Sequence, residues 1–416
     1  MRQHTGMGLV PEVLNKNKME TLKGDYAIGH VRYSTTGSSI LKNAQPFMIK
    51  HNRLSVSIAH NGNLVNAGKL KRELEKQGSI FHSTMDSEIV LHLLVRSKQE
   101  ALEDKLIEAL DKCDGAFTML FLSDKKIIGV RDPQGFHPLC LGKKGNSFVL
   151  SSETCSLDLI EAEFIREVEP GEMVVITENG VESRRLKKKC EPAPCIFEFI
   201  YFARPDSFIF GDSVYQVRER LGVQLAKDNF VEADLVMSIP DSGNYAALGY
   251  ARESGIPFEF GMIRNHYIGR TFIQPSQEMR QHGVRIKLNP IKEAIRGKKV
   301  IVVEDSIVRG ITTSSRIKAI REAGAKEIHM RISCPPIKHP CFYGIDFPSK
   351  KELIANQIKD VDAIGDFIGV DSLKYLSVEG MMKAVSKGCN SFCTACFTGV
   401  YPTKVCKNSR KSDFDS

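Results

Sequence analysis

The residues best placed to do chemistry lie between Val300 and Ser314, in the run VIVVEDSIVRGITTS. Glu304 and Asp305 are adjacent carboxylates, a pair suited to sugar hydroxyls or a divalent metal. Ser306, Arg309, Gly310, Thr312, Thr313 and Ser314 follow at once, a loop of small and hydroxyl residues. If that loop opens a helix, its free backbone N–H groups and the positive helix end, about half a charge, favour a bound phosphate. Acids and phosphate cradle together would fit a phosphorylated sugar. The same pattern, a buried strand ending in two acids, also opens many domains that bind no such ligand. No G-x-x-x-x-G-K-[ST] motif occurs, so this is not a Walker loop.

Further stretches could carry chemistry. His30-Val31-Arg32-Tyr33-Ser34-Thr35 ends an apolar run in a cation and hydroxyls. Ala59-His60-Asn61-Gly62-Asn63-Leu64 follows another, and Ser83-Thr84-Met85-Asp86-Ser87-Glu88 begins a helical pattern. Each has a plain alternative: Arg32 as a surface cation, Asn61-Gly62 as a hairpin turn, Asp86 as a helix-end charge. Pro240-Asp241-Ser242-Gly243-Asn244 reads as a tight turn between strand and helix. Near the C-terminus stand Cys389, Cys393 and Cys396; the C-x-x-C pair suits a metal, a redox couple or idle thiols.

The elements that must position these residues follow from periodicity. Val300, Ile301, Val302 and Val303 form a continuous β-branched run, as in a parallel strand buried on both faces. Ile317, Ile320 and Ala323 recur at helical spacing behind it. Asp234–Ile239 and Glu327–Ser333 read as companion strands, with helices at Val214–Ala226 and Tyr245–Ser254. In the first part of the chain, strands are expected at Tyr26–Tyr33, Leu54–His60, Ala116–Leu122, Ile127–Arg131, Ser147–Ser151 and Met173–Thr177. Helices are expected at Ser83–Arg96, with Ser83 as its cap, and at Glu100–Asp111. The charged, proline-punctuated stretch RRLKKKCEPAP at Arg184–Pro194 marks a boundary. Three parts are therefore expected, residues 1–186, 195–375 and 376–416. CIFEFIYFARPDS at Cys195–Ser207 reads as a core strand, Arg264–Leu288 as a charged loop of lid length, and the tail from Lys407 as disordered.

A chain of 416 residues with 42% apolar and 26% charged residues can build two cores. No apolar run approaches the ~18–20 residues of a membrane span, and the opening MRQHTGMGLVPEV has no secretory apolar core, so the cytoplasm is expected. The net charge of +8 comes without a helix-turn-helix, zinc-finger or aromatic-basic pattern, which points to anionic small substrates and not to nucleic acid or membrane. Eleven cysteines in such a chain argue for buried thiols with one metal or cluster site, against a disulfide framework.

EDSIVRGITT resembles the phosphoribosyl pyrophosphate (PRPP) loop of type I phosphoribosyltransferases, in the form used by the glutamine PRPP amidotransferases. The three early stretches, RDPQGFHPLCLG at Arg131–Gly142, the Cys195–Ser207 segment and CTACFTG near the end follow in that family's order. The resemblance implies an α+β N-terminal-nucleophile (αββα) glutaminase domain, here incomplete, followed by a doubly wound α/β phosphoribosyltransferase sheet. It implies formation of 5-phosphoribosylamine from PRPP, glutamine and water, the start of de novo purine synthesis. Arg32 and Asp86 would hold glutamine, with Asn61 and Gly62 as oxyanion donors. Glu304, Asp305, Ser306, Arg309, Gly310, Thr312, Thr313, Ser314, Asp241 and Ser242 would bind PRPP, with Mg²⁺ at Ser242, Glu304 and Asp305. Cys195, Cys341, Cys393 and Cys396 would hold a [4Fe–4S] cluster, and Arg264–Leu288 would close over PRPP. Purine nucleotides would act as feedback inhibitors of a homo-oligomer, tetrameric in relatives.

One departure stands out: residue 1 is methionine where the family's processed cysteine nucleophile should stand, and the first cysteine is Cys113. The family's opening strand is also missing before MRQHTGMG. The expectation is an N-terminally truncated chain that uses ammonia but not glutamine. The competing class is a non-catalytic PRPP-binding regulator on the same fold, which would leave the first part and the late cysteines unexplained.

Overall fold

The computed structural model describes residues 1–32, 40–51, 54–265, 288–385 and 391–405. Strands are numbered in chain order. In the first half, β1 (Phe47–His51), β2 (Leu54–Leu64), β3 (Gly115–Ser123), β4 (Lys126–Arg131), β8 (Glu172–Thr177) and β9 (Gly180–Arg185) form an antiparallel sheet in the order β1-β2-β3-β4-β8-β9. A second antiparallel sheet has the order β6-β5-β7, from β5 (Cys140–Lys144), β6 (Ser147–Ser151) and β7 (Glu163–Glu167).

Strand alternation sets the layers. On β3, Phe117, Met119 and Phe121 join one core with Ile89, Leu94 and Leu106 from the helices Ser87–Arg96 and Leu102–Leu110. Leu120 points the other way, into a core with Leu139, Leu141, Val174 and Leu150 beneath the second sheet. Outside that sheet, the short helix Cys155–Leu159 packs Leu157 on Cys140. Helix, sheet, sheet and helix are thus stacked in order, the αββα arrangement.

The second half is built on the parallel sheet β12-β15-β16-β17, from β12 (Leu235–Ser238), β15 (Lys299–Glu304), β16 (Glu327–Ile332) and β17 (Ser372–Tyr375). Val300–Val303 are fully buried, as their unbroken β-branched run requires on a two-faced sheet. Helices Val214–Asp228 and Asn244–Ser254 pack on each other, as do Ile311–Glu322 and Val361–Ile368. Two small antiparallel pairs are also present among the described residues, β10 (Phe208–Ile209) with β11 (Asp212–Ser213) and β13 (Met262–Arg264) with β14 (Leu288–Pro290). Among the described residues no helix is long and apolar enough to cross a membrane.

Several expectations need correction. Tyr26–Arg32 forms no strand: both edges of β2 are taken by β1 and β3, which leaves this segment without a ladder. Asn61-Gly62 is not a turn, because β2 runs on through it to Leu64. The helix expected from Ser83 begins at Ser87. Ser83 instead donates from Oγ to Glu88 at 2.6 Å, and the same carboxylate group takes the His82 and Ser83 N–H groups at 2.8 Å. The apolar run after Cys195 is a π-helical turn, Glu198–Phe202, not a strand. Of the Arg264–Leu288 loop, residues 266–287 lie outside the described residues, although Arg264 and Leu288 pair at its two ends. Residues 33–35, Cys389 and the tail from Cys406 also lie outside them.

Candidate active sites and their family

At the mouth of the parallel sheet, β15 ends in Glu304 and the chain turns at Asp305; both carboxylates are buried. Glu304 accepts from Thr313 Oγ1 at 3.3 Å and is paired with Arg316. Asp305 accepts from Ser306 Oγ at 2.5 Å and from Ser242 Oγ. Ser242 comes from the turn after β12, whose next residue pair, Ser238 and Asn244, is tied side chain to side chain at 2.5 Å. Two sequence-distant loops therefore meet on one acid. The helix Ile311–Glu322 starts here after Gly310, which has a left-handed φ of 76°. Ser314 N–H already reaches the Gly310 carbonyl at 2.8 Å, which leaves the N–H groups of the preceding turn aimed into the loop. Asp241 is exposed and paired with Arg264, and the exposed Arg309 bonds Glu352 at 2.8 Å.

Burial dominates the electrostatics of this edge. It pushes the Glu304 carboxyl up to about 7, with the Asp305 charge adding to the shift and Arg316 opposing it. Burial raises Asp305 as well, against the Ser242 and Ser306 hydrogen bonds and the Arg218 and Arg316 charges. Such a pair is poised to gain from any cation brought to it. Arg316 and Arg218 are the residues that sequence reasoning missed. Both read as ordinary helix cations, yet Arg218 is buried, donating to the Phe199 and Ala203 carbonyls at 2.7 and 2.8 Å.

A second constellation forms on β2. His60 Nδ1 lies 3.3 Å from Asp86 Oδ1, and Asp86 Oδ2 accepts the Leu64 N–H at 2.8 Å. Burial alone would raise the Asp86 carboxyl; the His60 charge and hydrogen bonds overcome it and hold the group below the usual range. Arg32 lies within the field of Asp86. Gln45 was not singled out by sequence, but its Oε1 accepts the His60 N–H at 2.6 Å. Asn61 and Gly62 lie beside these groups on the same strand, opposite Thr118 and Phe117. Cys113 is no candidate nucleophile here, since burial pushes its thiol up to about 12.

His30 gives a pH test of this cluster. Burial, with the charges of His60 and Arg32, pushes its imidazole from 6.5 down to about 4. Between those values the unfolded chain holds a proton that the native state has released, so stability rises with pH through the window and falls on acidification. A histidine NMR titration is expected to place the His30 midpoint near 4, and His30→Gln to flatten the rise in unfolding free energy over that range. A midpoint near 6.5 would contradict the packing.

Cys195, Cys341, Cys393 and Cys396 come together from three chain regions. Cys195 and Cys393 form a parallel backbone bridge, and the Lys338 and His339 N–H groups donate to the Cys396 carbonyl at 2.9 and 3.0 Å. Burial raises the Cys195 thiol first, and the neighbouring thiols of Cys393, Cys341 and Cys396 raise it further. Among the described residues no three side chains close up as a finished metal-binding group. Cys140, Cys155 and Cys334 are also buried, and Cys334 lies within the field of Cys396.

Comparison with known proteins joins these sites. Residues 30–158 match the family model of a glutamine amidotransferase domain. The chain is 52% identical to amidophosphoribosyltransferase 1, chloroplastic, of Arabidopsis thaliana, over 96% of this chain and 71% of that protein. It is 46% identical to the amidophosphoribosyltransferase of Bacillus subtilis, over 97% of this chain and 85% of that one. The solved structure of glutamine PRPP amidotransferase from B. subtilis, complexed with ADP and GMP, superposes with a TM-score of 0.92 at 45% identity, covering 99% of this chain and 90% of that one. With a glutaminase-type αββα half, a phosphoribosyltransferase-type parallel sheet and this likeness along nearly its whole length, the chain belongs to the amidophosphoribosyltransferases, a family of pentosyltransferases of de novo purine biosynthesis.

Proposed function

We propose that the Glu304–Ser314 edge binds PRPP and transfers its phosphoribosyl group to ammonia, giving 5-phosphoribosylamine and pyrophosphate. The observation that carries the reading is the meeting of Glu304, Asp305 and Ser242 beside the start of the helix Ile311–Glu322. In this reading the first-turn amides with Thr312, Thr313 and Ser314 take the 5-phosphate, and Glu304 and Asp305 face the ribose. Ser306, Asp241, Arg309 and Gly310 complete the pocket. Bound Mg²⁺, held by Ser242, Glu304 and Asp305, would neutralise the departing pyrophosphate. Two raised carboxyls suit that role, because a cation relieves their burial. No nucleophilic side chain is needed: the protein holds sugar and ammonia in register and excludes water from an oxocarbenium-like state.

In this reading the β2 site is where glutamine would sit. Arg32 is suited to a bidentate grip on the glutamine carboxylate, Asp86 to the amino group, and Asn61 and Gly62 to the oxyanion. The domain limits 1–186, 195–375 and 376–416, purine-nucleotide feedback inhibition, a homotetramer and a cytoplasmic address belong to the same reading. The test is phosphoribosylamine formation from PRPP, Mg²⁺ and ammonium; absence of pyrophosphate release would reject it.

Cys195, Cys341, Cys393 and Cys396 are proposed to hold a [4Fe–4S] cluster; the reading is supported by the backbone bridge of Cys195 and Cys393 and by the charges of Cys341, Cys393 and Cys396 acting on Cys195. Their burial opposes thiolate charge, and a bound cation would relieve that cost. Anaerobically purified protein is expected to be brown and to contain iron, and Cys393→Ser to lose both. Stoichiometric zinc in place of iron would make this a zinc site.

A further inference from the structure

His137 lies in the RDPQGFHPLCLG stretch, and the sites above leave it without a role. Its ring is buried and bonded at both ends to distant parts of the chain: Nδ1 stands 2.7 Å from Glu198 Oε1 and Nε2 2.7 Å from the Tyr343 carbonyl. A carbonyl can only accept, so Nε2 carries a proton, and the Nδ1–carboxylate contact must hold a second. Neither bond can be kept if the ring turns. The ring is itself anchored, because the His137 carbonyl accepts from Arg131 Nε at 2.8 Å.

The two partners are not arbitrary. Glu198 begins the π-helical turn just after Cys195, and Tyr343 lies two residues beyond Cys341. The Tyr343 N–H donates to Cys341 Sγ at 3.3 Å, and its ring stacks on Phe136 at 4.2 Å. The same short loop rests on β2. Asn63 Nδ2 donates to the Phe342 carbonyl at 2.9 Å, and a Cβ on Gly344 would stand 3.1 Å from both Gly62 Cα and His137 Nε2. Gly62 cannot yield: at φ 140° a Cβ there would meet the Ala116 carbonyl at 2.2 Å. Backbone therefore lies on backbone between the strand carrying Asn61 and the loop carrying Cys341.

We propose that His137 is a positioning residue that holds the 340–344 loop in register, so that occupancy of the four-thiol site is transmitted to the strand Asn61–Leu64. This rests on the four-cysteine reading given above. The coupling needs no moving part beyond the loop: a metal that fixes Cys341 fixes Tyr343 and Gly344, and these bear on Gly62 and Asn63.

The test compares metal-free protein with protein reconstituted anaerobically with ferrous iron and sulfide. Iron content, hydrogen exchange of the residue 61–64 amides and ammonia-dependent activity are read on each. In the wild type, iron is expected to slow exchange of those amides by about tenfold or more. His137→Phe, which keeps a ring without its hydrogen bonds, is expected to take up iron but lose that slowing, with ammonia-dependent activity within about twofold. Glu198→Gln is expected to behave as wild type, because its amide can still donate to Nδ1. Equal slowing in wild type and His137→Phe, no slowing in the iron-loaded wild type, or loss of ammonia-dependent activity with the His137 change would each overturn the inference. Wild type that takes up no iron overturns the cysteine reading itself, and the coupling with it. Should His137→Phe fail to fold, Asn63→Ala, which frees the loop from β2 on its other side, is judged by the same outcomes.

Discussion

Asp305→Asn is expected to lower ammonia-dependent phosphoribosylamine formation by roughly 10²–10³, the loss seen when one preorganised electrostatic group is removed from an active site. Asp305 is buried and joined to Ser242 and Ser306, one on each oxygen, so the change keeps its volume and one acceptor and removes the charge and the other acceptor. The fold should survive, since a neutral amide is easier to bury than a carboxylate already raised by burial. The deficit should therefore appear in turnover and in the magnesium dependence while the unfolding midpoint holds or rises. Arg316→Met provides the contrast. It removes the cation that opposes the Glu304 shift, so Glu304 should stay protonated to higher pH and the rate profile should move upward in pH. An Asp305→Asn protein with wild-type turnover would take this acid out of the chemistry.

Much of this edge was legible in the sequence because its causes are local. A four-residue β-branched run buried on both faces, two acids at its end and a helix behind it are properties of contiguous residues, and β15 with Ile311–Glu322 stand where the pattern put them. What stayed hidden depends on partners far along the chain. Asn61-Gly62 has the composition of a hairpin turn; only the approach of the Ala116 carbonyl makes it the continuation of β2. Ser83 has the right type for a cap, but Glu88 claimed both its hydroxyl and the N–H groups around it. Arg316 carries no sequence mark that sets it apart from other helix cations, but it lies one turn after Thr313 and so shares the face that looks back at Glu304. The cysteines show the limit most plainly. Nothing in the spacing of Cys195, Cys341 and Cys393 announces a meeting, and only likeness to a family linked them before the backbone bridge of Cys195 and Cys393 placed two of them side by side.

Gly249→Ala should be strongly destabilising, although Gly249 lies away from the Glu304–Ser314 edge. It lies in the helix Asn244–Ser254 against Val214–Asp228, where a Cβ would come 2.0 Å from the Glu219 carbonyl. Gly222 faces back across the same crossing, with its Cβ position 1.8 Å from the Ala246 carbonyl. The obstructing atoms are backbone on both sides, so no side-chain rotation relieves the clash and the helices must part. Overpacking of this kind costs about 3 kcal/mol, at the upper end of the usual range. The functional consequence follows from what each helix carries. One begins at Asn244, two residues after Ser242, which bonds Asp305; the other bears the buried Arg218, whose charge acts on Asp305. Parting them pulls both supports from the acid, so PRPP affinity should fall together with the denaturant midpoint, and Gly222→Ala should do the same. The two changes act on one crossing, so the double variant should cost less than the sum of the singles. A Gly249→Ala protein that unfolds at the wild-type midpoint and binds PRPP as tightly would mean that the helices do not meet at these glycines.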